Sequence, residues 1–304
     1  GIPGETAEVS ILMGKNQHYG WFQNTENPHV FRTDPACSKY TCCGGCPLKH
    51  LTQEGEHDAK LQMFRSRLEE RGLEEYAPTK IFYSEVKQYR SVVKLVAGET
   101  DEGQFRLGMR NRVGHIVPTV DCVVTVPILR KFMHIATLTC RELDAHSYNP
   151  QTGHGLRYVI ARYSHYQKSI HVVLIVGKSA KFWEQLAAQL IMRMGEISGI
   201  SLHINADEGN AHYSRSENGS IQARRLEGKP IIVEEVGECR YQIGPGDFFQ
   251  NNIDVALMLQ DRILAVSEEF ADRPMLDLYC GVGLFSIALA KKHGWALGVE
   301  GLKT

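Results

Sequence analysis

The sequence predicts a multidomain protein: a small β-module, an antiparallel α+β central domain preceded by a cysteine-rich loop, and the start of a Rossmann-like α/β domain. Three observations support this prediction. Paired stretches of alternating apolar residues between 80 and 235 are typical of β-hairpins. An apolar strand, a Gly-x-Gly turn and an amphipathic helix follow one another over 274–294. Four of the chain's eight cysteines lie within 37–46.

Composition indicates a soluble globular chain. With 304 residues, 43% of them hydrophobic, it is long enough for two or three domains with their own cores. No run of about 18 apolar residues occurs, and the start GIPGETAEVS lacks the basic and apolar regions of a signal peptide. We therefore expect a cytoplasmic monomer with no membrane partner. The net charge of −1 gives no general attraction to nucleic acid, so that argument rests on local charge.

The first part of the chain carries a hairpin and a helix. EVSIL and YGWFQ, within 8–23, read as two short strands around the turn GKNQH. After the cysteine loop, Leu61, Phe64 and Leu68 recur at helical spacing, which predicts a helix over 50–71.

The central part alternates hairpins with helices. A first hairpin turns at GETDEG and a second at SHYQK. Phe182, Leu186 and Leu190 mark a helix, and GISLHINAD marks a further strand. RRLEGKPIIVEEV and CRYQIGPGDFFQ continue the strands, and Asn252 to Phe270 reads as a helix. Hairpins with one or two helices predict an antiparallel α+β domain.

The motif near the end predicts a nucleotide-like cofactor. Gly281 and Gly283 allow a tight turn and close backbone approach to a ligand. A dinucleotide fingerprint places a third Gly or Ala where this chain has Ser286. The better match is the S-adenosylmethionine pattern, with Asp277 in the strand and Glu300 ending the next strand, where a carboxylate can accept both ribose hydroxyls. The alternative is an ordinary strand-to-helix turn that holds no ligand.

The cysteine cluster predicts a metal centre more than disulfides, because a reducing compartment keeps thiols reduced. Cys37, Cys43 and Cys46 stand at C-x5-C-x2-C, and Cys122 lies far downstream. Three thiolates on one loop with a remote fourth suit a 4Fe-4S cluster, whereas zinc usually has a second short knuckle. Zinc bound with His50 and His57 stays an alternative, as do unligated thiols. We interpret Cys42 as a neighbour of a ligand, and the metal centre as structural, tying the loop to a strand that carries Cys122.

The hairpin at 87–112 concentrates basic residues. Period-two alternation puts Arg90 and Lys94 on one strand face, and Arg106, Arg110 and Arg112 on another. If the register brings these faces together, a basic stripe forms that can hold phosphates. The alternative is an ordinary solvated strand face.

Four motifs together resemble one known family. They are CGGCPLKHL with its spaced cysteines, a remote VDC cysteine, GDFFQNN ahead of a helix, and LDLYCGVGLFSIALA followed by GVEG. In this order they resemble the iron-sulfur branch of the RNA uridine-5-methyltransferases over almost the whole chain. The opening IPGETAEVSI is similar to the middle of that family's TRAM domain, so the resemblance implies a partial TRAM/OB-like β-barrel that binds RNA.

The resemblance also implies roles for particular residues. Where relatives often have a polar residue after the second glycine, this chain has Leu284, whose side chain cannot make that polar contact. Phe248 matches an aromatic residue beside the target-base pocket, with a core phenylalanine as the alternative. The implied 4Fe-4S ligands are Cys37, Cys43, Cys46 and Cys122, and the implied S-adenosylmethionine contacts are Gln250, Tyr279 and Glu300.

The resemblance implies formation of 5-methyluridine in RNA, with rRNA favoured over tRNA. In this family a cysteine thiolate adds to C6 of uracil and a glutamate removes the C5 proton, both from segments well past the glycine motif. The chain has no initiating Met and stops at Thr304, so we expect it to be cut at both ends and catalytically incomplete. The rival hypotheses are a non-catalytic RNA-binding module stapled by zinc or a cluster, and an iron-sulfur electron carrier.

These arguments divide the chain into five parts. They are a partial TRAM-like RNA-binding module at 1–30, the cluster loop at 31–50, a helix packing on the methyltransferase domain at 51–78, the central RNA-binding domain at 79–240, and the beginning of the methyltransferase domain at 241–304.

Overall fold

The structure is a computed structural model that describes most of the chain. The described residues are 2–13, 18–100, 102–111, 114–207, 209, 211–217 and 219–301. They separate into two compact units, 1–82 and 83–304. The first unit therefore holds the first three predicted parts, and the second unit holds both the central and the methyltransferase parts.

The first unit contains a strand pair and a helix. Strands β1 (Ala7–Met13) and β2 (His18–Thr25) pair antiparallel, as the alternation predicted. A four-residue helix, α1 (Tyr40–Cys43), precedes α2 (Gln53–Glu69). Thr52 caps α2 because its hydroxyl accepts a hydrogen bond from the Gly55 amide at 3.2 Å. A short 3-10 turn follows at Glu74–Tyr76.

The second unit is built on a seven-stranded sheet with two helices. Its strands and helices are β3 (Val92–Glu99), β4 (Phe105–Arg110), β5 (Ile116–Val117), α3 (Pro127–Glu142), β6 (Leu156–Ser164), β7 (Ser169–Val176), α4 (Phe182–Arg193), β8 (Ile197–Ile204) and β9 (Arg224–Gly228). The strand order is β5-β4-β3-β6-β7-β8-β9. The prediction of an antiparallel sheet is wrong at one place, because β7 and β8 pair in parallel. Helix α4 connects these two strands as a crossover, so that both run in the same direction and the sheet is mixed.

The two faces of this sheet differ in polarity. Helices α3 and α4 supply the core of one face, where Leu129, Phe132 and Leu186 have no exposed surface. The other face carries a row of polar side chains among apolar ones, because alternate strand residues point to opposite faces. Its polar members are Lys94, Arg162, His171, Ser201 and His203.

Burial of His171 on the polar face makes folding depend on pH. Its imidazole is 4% exposed, and burial together with the charge of Arg162 lowers its pKa to about 4. The unfolded chain takes up this proton near pH 6.5, so the stability from the neutral ring is complete above pH 6.5 and is lost as the pH falls toward 4. We expect the free energy of unfolding to drop by about 2 kcal/mol more between pH 7 and pH 4.5 in the wild type than in His171→Gln.

Urea unfolding at a series of pH values measures this difference. His134→Gln is the matched control, because His134 is exposed on α3 and its removal should leave the pH dependence unchanged. Equal slopes in the wild type and His171→Gln would contradict the prediction.

A second core lies between a hairpin and two helices. Ile232 and Val236, which the sequence placed in the central part, pack in this core with Tyr241, Phe249 and residues of the last helix. The boundary near residue 240 therefore cuts through a hairpin that belongs to the second core. Its elements are β10 (Ile232–Val236), β11 (Cys239–Ile243), α5 (Ile253–Ser267) with a 3-10 turn at Glu268–Phe270, β12 (Leu276–Leu278), α6 (Ser286–His293) and β13 (Leu297–Val299). No helix among the described residues is long and apolar enough to cross a membrane.

Candidate functional site

The glycine motif forms a loop between β12 and α6. Strands β12 and β13 pair in parallel, with Asp277 opposite Gly298, as expected for the first two strands of a doubly wound sheet. The Cys280 amide continues the ladder by donating to the Val299 carbonyl at 3.1 Å. A side chain at Gly298 would come within 2.9 Å of the Cys280 sulfur, so the close approach of the two strands requires glycine there.

Two predicted carboxylates stand at opposite ends of this loop. Asp277 Oδ2 accepts a hydrogen bond from the Ser286 amide at 3.0 Å, at the start of α6. A carboxylate is favourable there because the first amides of a helix lack partners within the helix. Glu300 Oε2 accepts from the Gly281 amide at 2.9 Å. The loop is thus fixed by one carboxylate from each strand.

The backbone of the loop is left-handed at three positions. Gly281 and Gly283 have φ of 55° and 88°, which glycine adopts without steric cost. Tyr279 has φ of 61°, a value uncommon for a residue with a side chain, and its side chain is 88% exposed. Such outliers are found preferentially at ligand sites, so the conformation of Tyr279 favours a binding role for the exposed ring.

The segment GDFFQNN lies beside the same loop. Phe249 is buried and packs on Tyr241, with ring centroids 5.5 Å apart, whereas Phe248 is 73% exposed. The interpretation of Phe248 as a core residue is therefore wrong. A Cβ at Gly281 would lie 4.0 Å from the Phe248 carbonyl oxygen, so the two segments are neighbours, and the half-buried Gln250 follows two residues later.

The end of this segment that follows Gln250 is held by hydrogen bonds. The Ser91 amide and hydroxyl donate to the Asn251 carbonyl at 2.9 and 3.0 Å. Asn252 caps α5 by accepting from the Val255 amide at 3.1 Å. The backbone after Gln250 is thus fixed by Ser91, which immediately precedes β3, and by the start of a helix.

A buried polar network that the sequence did not predict contacts the loop at the Leu284 carbonyl oxygen. The Tyr241 hydroxyl donates to the Leu284 carbonyl at 3.0 Å, and the Gln260 amide donates to the Tyr241 oxygen at 2.7 Å. The same amide reaches Leu284 at 3.2 Å. The only hint in the sequence is a polar Gln within the apolar face of α5.

The thiols of Cys280, in the loop, and of Cys140, in the core of the large sheet, are poor nucleophiles. Burial, with the charges of Asp277 and Glu300 adding to it, raises the pKa of the Cys280 thiol. Burial raises the pKa of Cys140 to about 12. Both side chains are therefore held as thiols, and only a thiolate attacks carbon or binds metal readily.

The cysteine loop has the expected ligand types but no formed metal site. Cys43 ends α1, Gly44 is left-handed with φ of 71°, and a Cβ at Gly45 would meet the Cys43 sulfur at 3.5 Å. Cys37, Cys43 and Cys46 are all partly exposed. No group of three His, Cys, Asp or Glu side chains that could hold a metal ion is found among the described residues.

Two further details concern the predicted ligands. Cys122 lies in a turn before α3 and donates its amide to the Thr119 carbonyl at 3.1 Å, so the predicted strand carrying it is wrong. His50, the alternative zinc ligand, has Nδ1 2.6 Å from the Tyr40 hydroxyl. This contact occupies one of the two ring nitrogens that zinc binding would use.

The basic residues of the first hairpin share the polar face of the sheet. Gly98 pairs with Arg106 across β3 and β4, which puts Arg106 and Arg110 on the same face as Lys94. Arg106 donates to the Ile116 carbonyl at 3.3 Å, and Arg110 donates to Gly114 at 2.9 Å. Two predicted members remain: Arg90 precedes β3 and is half-buried, and Arg112 lies outside the described residues.

Comparison with known proteins identifies the fold. No protein-family model matches the chain. A solved structure of the Pyrococcus abyssi tRNA (uracil-54, C5)-methyltransferase, in complex with S-adenosyl-L-homocysteine, matches with a TM-score of 0.70 and 21% identity, over 97% of this chain and 66% of that one. This chain has that fold.

Curated relatives of this chain are named as RNA methyltransferases. The chain is 26% identical over 307 residues to an uncharacterized RNA methyltransferase of Listeria monocytogenes, and 26% identical over 306 residues to one of Bacillus cereus. The alignments cover 98% and 99% of this chain but 65% of each relative. The chain therefore spans about two thirds of the length of these relatives.

Proposed function

We propose that the protein is an S-adenosylmethionine-dependent RNA methyltransferase that forms 5-methyluridine. The observation that carries the proposal is the loop in which Glu300, at the end of β13, accepts from the Gly281 amide. A carboxylate at the end of the second parallel strand supports the proposal, because this class of sheet binds nucleotide-like ligands beside the carboxyl ends of its strands. The relatives named RNA methyltransferases and the shared fold support the same proposal.

Residues of the loop and of the neighbouring segment GDFFQNN are proposed to have parts in this chemistry. The Glu300 carboxylate would accept the ribose hydroxyls of the methyl donor, and Tyr279 and Gln250 would contact the remainder of that molecule. Asp277 fixes the loop by accepting from the Ser286 amide through Oδ2, and it is proposed as a further contact of the donor. Phe248 offers an exposed ring on which an extruded base can stack.

The reaction itself needs a thiolate and a base. A thiolate adds to C6 of uracil, C5 then takes the methyl group from the sulfonium, and loss of the C5 proton allows the thiolate to leave. We assign neither role within this chain, because Cys280 and Cys140 are held as thiols.

Labelled S-adenosylmethionine tests the proposal. The full-length gene product is incubated with total RNA, and the RNA is digested to nucleosides. We expect the label in 5-methyluridine, with rRNA and tRNA assayed separately to identify the substrate. Tight RNA binding without methyl transfer would instead favour the non-catalytic RNA-binding module.

The basic stripe formed by Lys94, Arg106 and Arg110 is proposed to hold RNA phosphates. Reversing Arg106 and Arg110 to Glu should weaken RNA binding at low salt. It should also reduce the magnitude of the slope of log K against log salt by about 1.4 to 1.8, because each of two lost phosphate contacts contributes about 0.7 to 0.9. Filter binding across a salt series measures both quantities. Arg262→Glu, an exposed site on α5, is the matched control. Unchanged affinity at low salt would contradict this assignment.

A 4Fe-4S cluster and a TRAM-like module complete the proposal. Four thiols are a suitable donor set for a cluster, and Cys37, Cys43, Cys46 and Cys122 would hold it as a structural group. The β1–β2 pair would belong to an RNA-binding barrel. Iron and acid-labile sulfide analysis of anaerobically purified protein should find about four of each. A colourless protein that contains zinc would refute the ligand assignment.

A further inference from the structure

A pocket lies between the polar face of the large sheet and the segment 244–249. Its volume is about 270 Å³. Sheet residues Arg162 and His171 form its floor, Tyr213 forms a side, and Asp247 and Phe248 border it on the other side. None of its lining residues comes from the loop or strands at 276–301 that carry the candidate methyl-donor site.

Arg162 brings a positive charge into this pocket. Burial lowers its pKa to about 10, so the guanidinium stays charged at neutral pH. Among the described residues it donates to the Asp247 carbonyl at 3.2 Å, a bond that uses one of the five N–H groups of a guanidinium. A charge so deeply buried is costly unless it is paired or hydrogen-bonded.

Asp247 provides a buried acceptor at the same pocket. Its Oδ2 accepts from the Gly244 amide at 2.7 Å. Its Oδ1 is buried and has no hydrogen-bond partner within the described part of the chain. An unsatisfied buried oxygen is destabilising, so a native site that retains one needs an explanation.

The remaining lining groups are two exposed cations and several neutral rings. Lys94 and Arg215 also line the pocket, and both are exposed. Burial lowers the pKa of His171 to about 4 and also lowers the pKa of His212, so both rings are uncharged at neutral pH. Burial raises the pKa of Tyr213, which keeps the phenol protonated. The buried donor fork and the buried acceptor therefore face neutral rings, whereas the two further cations are exposed.

We propose that this pocket takes one unpaired RNA base, held by Arg162 as donor and Asp247 Oδ1 as acceptor, next to the nucleotide that is methylated. The unpartnered acceptor favours a base over a phosphate, because a base edge can donate an N–H to Asp247 Oδ1, whereas a phosphodiester has no such donor. None of the lining residues belongs to the methyl-donor loop, but Phe248 borders both this pocket and the proposed place of the reacting base, so we assign the pocket to the neighbouring base. The inference rests on the proposed function only in taking RNA as the substrate.

The test compares base-bearing and abasic RNA with two conservative variants. Asp247→Asn keeps the side-chain volume but can present an N–H where Oδ1 accepted, and Arg162→Lys keeps the charge but removes the planar fork. The probes are a short oligouridylate, the three other homo-oligomers, and an abasic ribose-phosphate oligomer of the same length. Binding to the full-length product is measured with S-adenosyl-L-homocysteine present. Asp254→Asn, an exposed site on α5, is the control.

We expect Asp247→Asn to weaken binding of at least one base-bearing oligomer about tenfold while leaving the abasic oligomer unchanged. Arg162→Lys should show the same pattern if its thermal unfolding matches the wild type. Equal losses for base-bearing and abasic RNA would overturn the proposal in favour of a phosphate site, and no loss for either would overturn it outright. Methyl transfer measured in parallel separates the two claims, because base-dependent binding without methylation contradicts only the proposed function.

Discussion

Replacing Glu300 with Ala should weaken binding of S-adenosyl-L-homocysteine by about 100-fold or more. The carboxylate is proposed to accept two ribose hydroxyls, and each hydrogen bond to a charged acceptor contributes about 1.5 to 3 kcal/mol. The same substitution frees the Gly281 amide, which now donates to Glu300 at 2.9 Å. Isothermal titration calorimetry of the full-length product measures the affinity.

The controls separate binding from loop structure. Glu300→Gln keeps an acceptor and should lose about tenfold, intermediate between the wild type and Glu300→Ala. Glu269→Ala removes an exposed carboxylate from the 3-10 turn after α5 and should bind normally. If Glu300→Ala retains wild-type affinity, the carboxylate does not hold the ribose and the assignment of the site is wrong.

Tyr241→Ala should lower the free energy of unfolding by about 3 to 5 kcal/mol, because it empties the centre of the second core and removes a hydrogen-bonded hydroxyl. Tyr241 has no exposed surface and is the largest fully buried side chain. Tyr241→Phe keeps the ring and removes the hydroxyl, and with it the bonds to Leu284 and from Gln260, although Gln260 still donates to Leu284 at 3.2 Å. We expect that variant to lose about 1 kcal/mol.

Urea unfolding measures both variants. The matched control is Tyr166→Ala, because Tyr166 is 41% exposed and lies outside the cores. Its ring centroid is 4.7 Å from Cζ of the Arg240 guanidinium. That change should cost less than about 1 kcal/mol. Equal losses for Tyr241→Ala and Tyr166→Ala would show that the second core does not support the loop. If Tyr241→Ala does not fold, Tyr241→Phe still tests the network.

Local patterns in the sequence were sufficient to predict most of the elements. The period-two stretches gave the β3–β4 and β6–β7 hairpins, because one face of each strand is packed against α3 and α4. The spacing of Asp277, the glycines and Glu300 predicted a loop that the structure shows to be held by both carboxylates. These features depend on residues near one another in sequence or on the regular period of a strand.

Features that depend on distant residues were not predictable. The parallel pairing of β7 with β8 is decided by how α4 crosses the sheet, and no local pattern encodes that choice. The pocket between Arg162 and Asp247 joins residues 85 positions apart. Cys122 read as part of a strand because Val120, Val123 and Val124 are β-branched, yet the turn hydrogen bond of its amide to Thr119 decides otherwise.

Tritium release tests the central claim most directly. RNA labelled with tritium at C5 of uracil is incubated with the full-length product and S-adenosylmethionine, and tritium in water is counted beside methyl groups in RNA. Methylation at C5 must remove the C5 hydrogen, so we predict one tritium released for each methyl transferred, and neither event without S-adenosylmethionine. Methyl transfer to RNA without tritium release would contradict the proposed reaction.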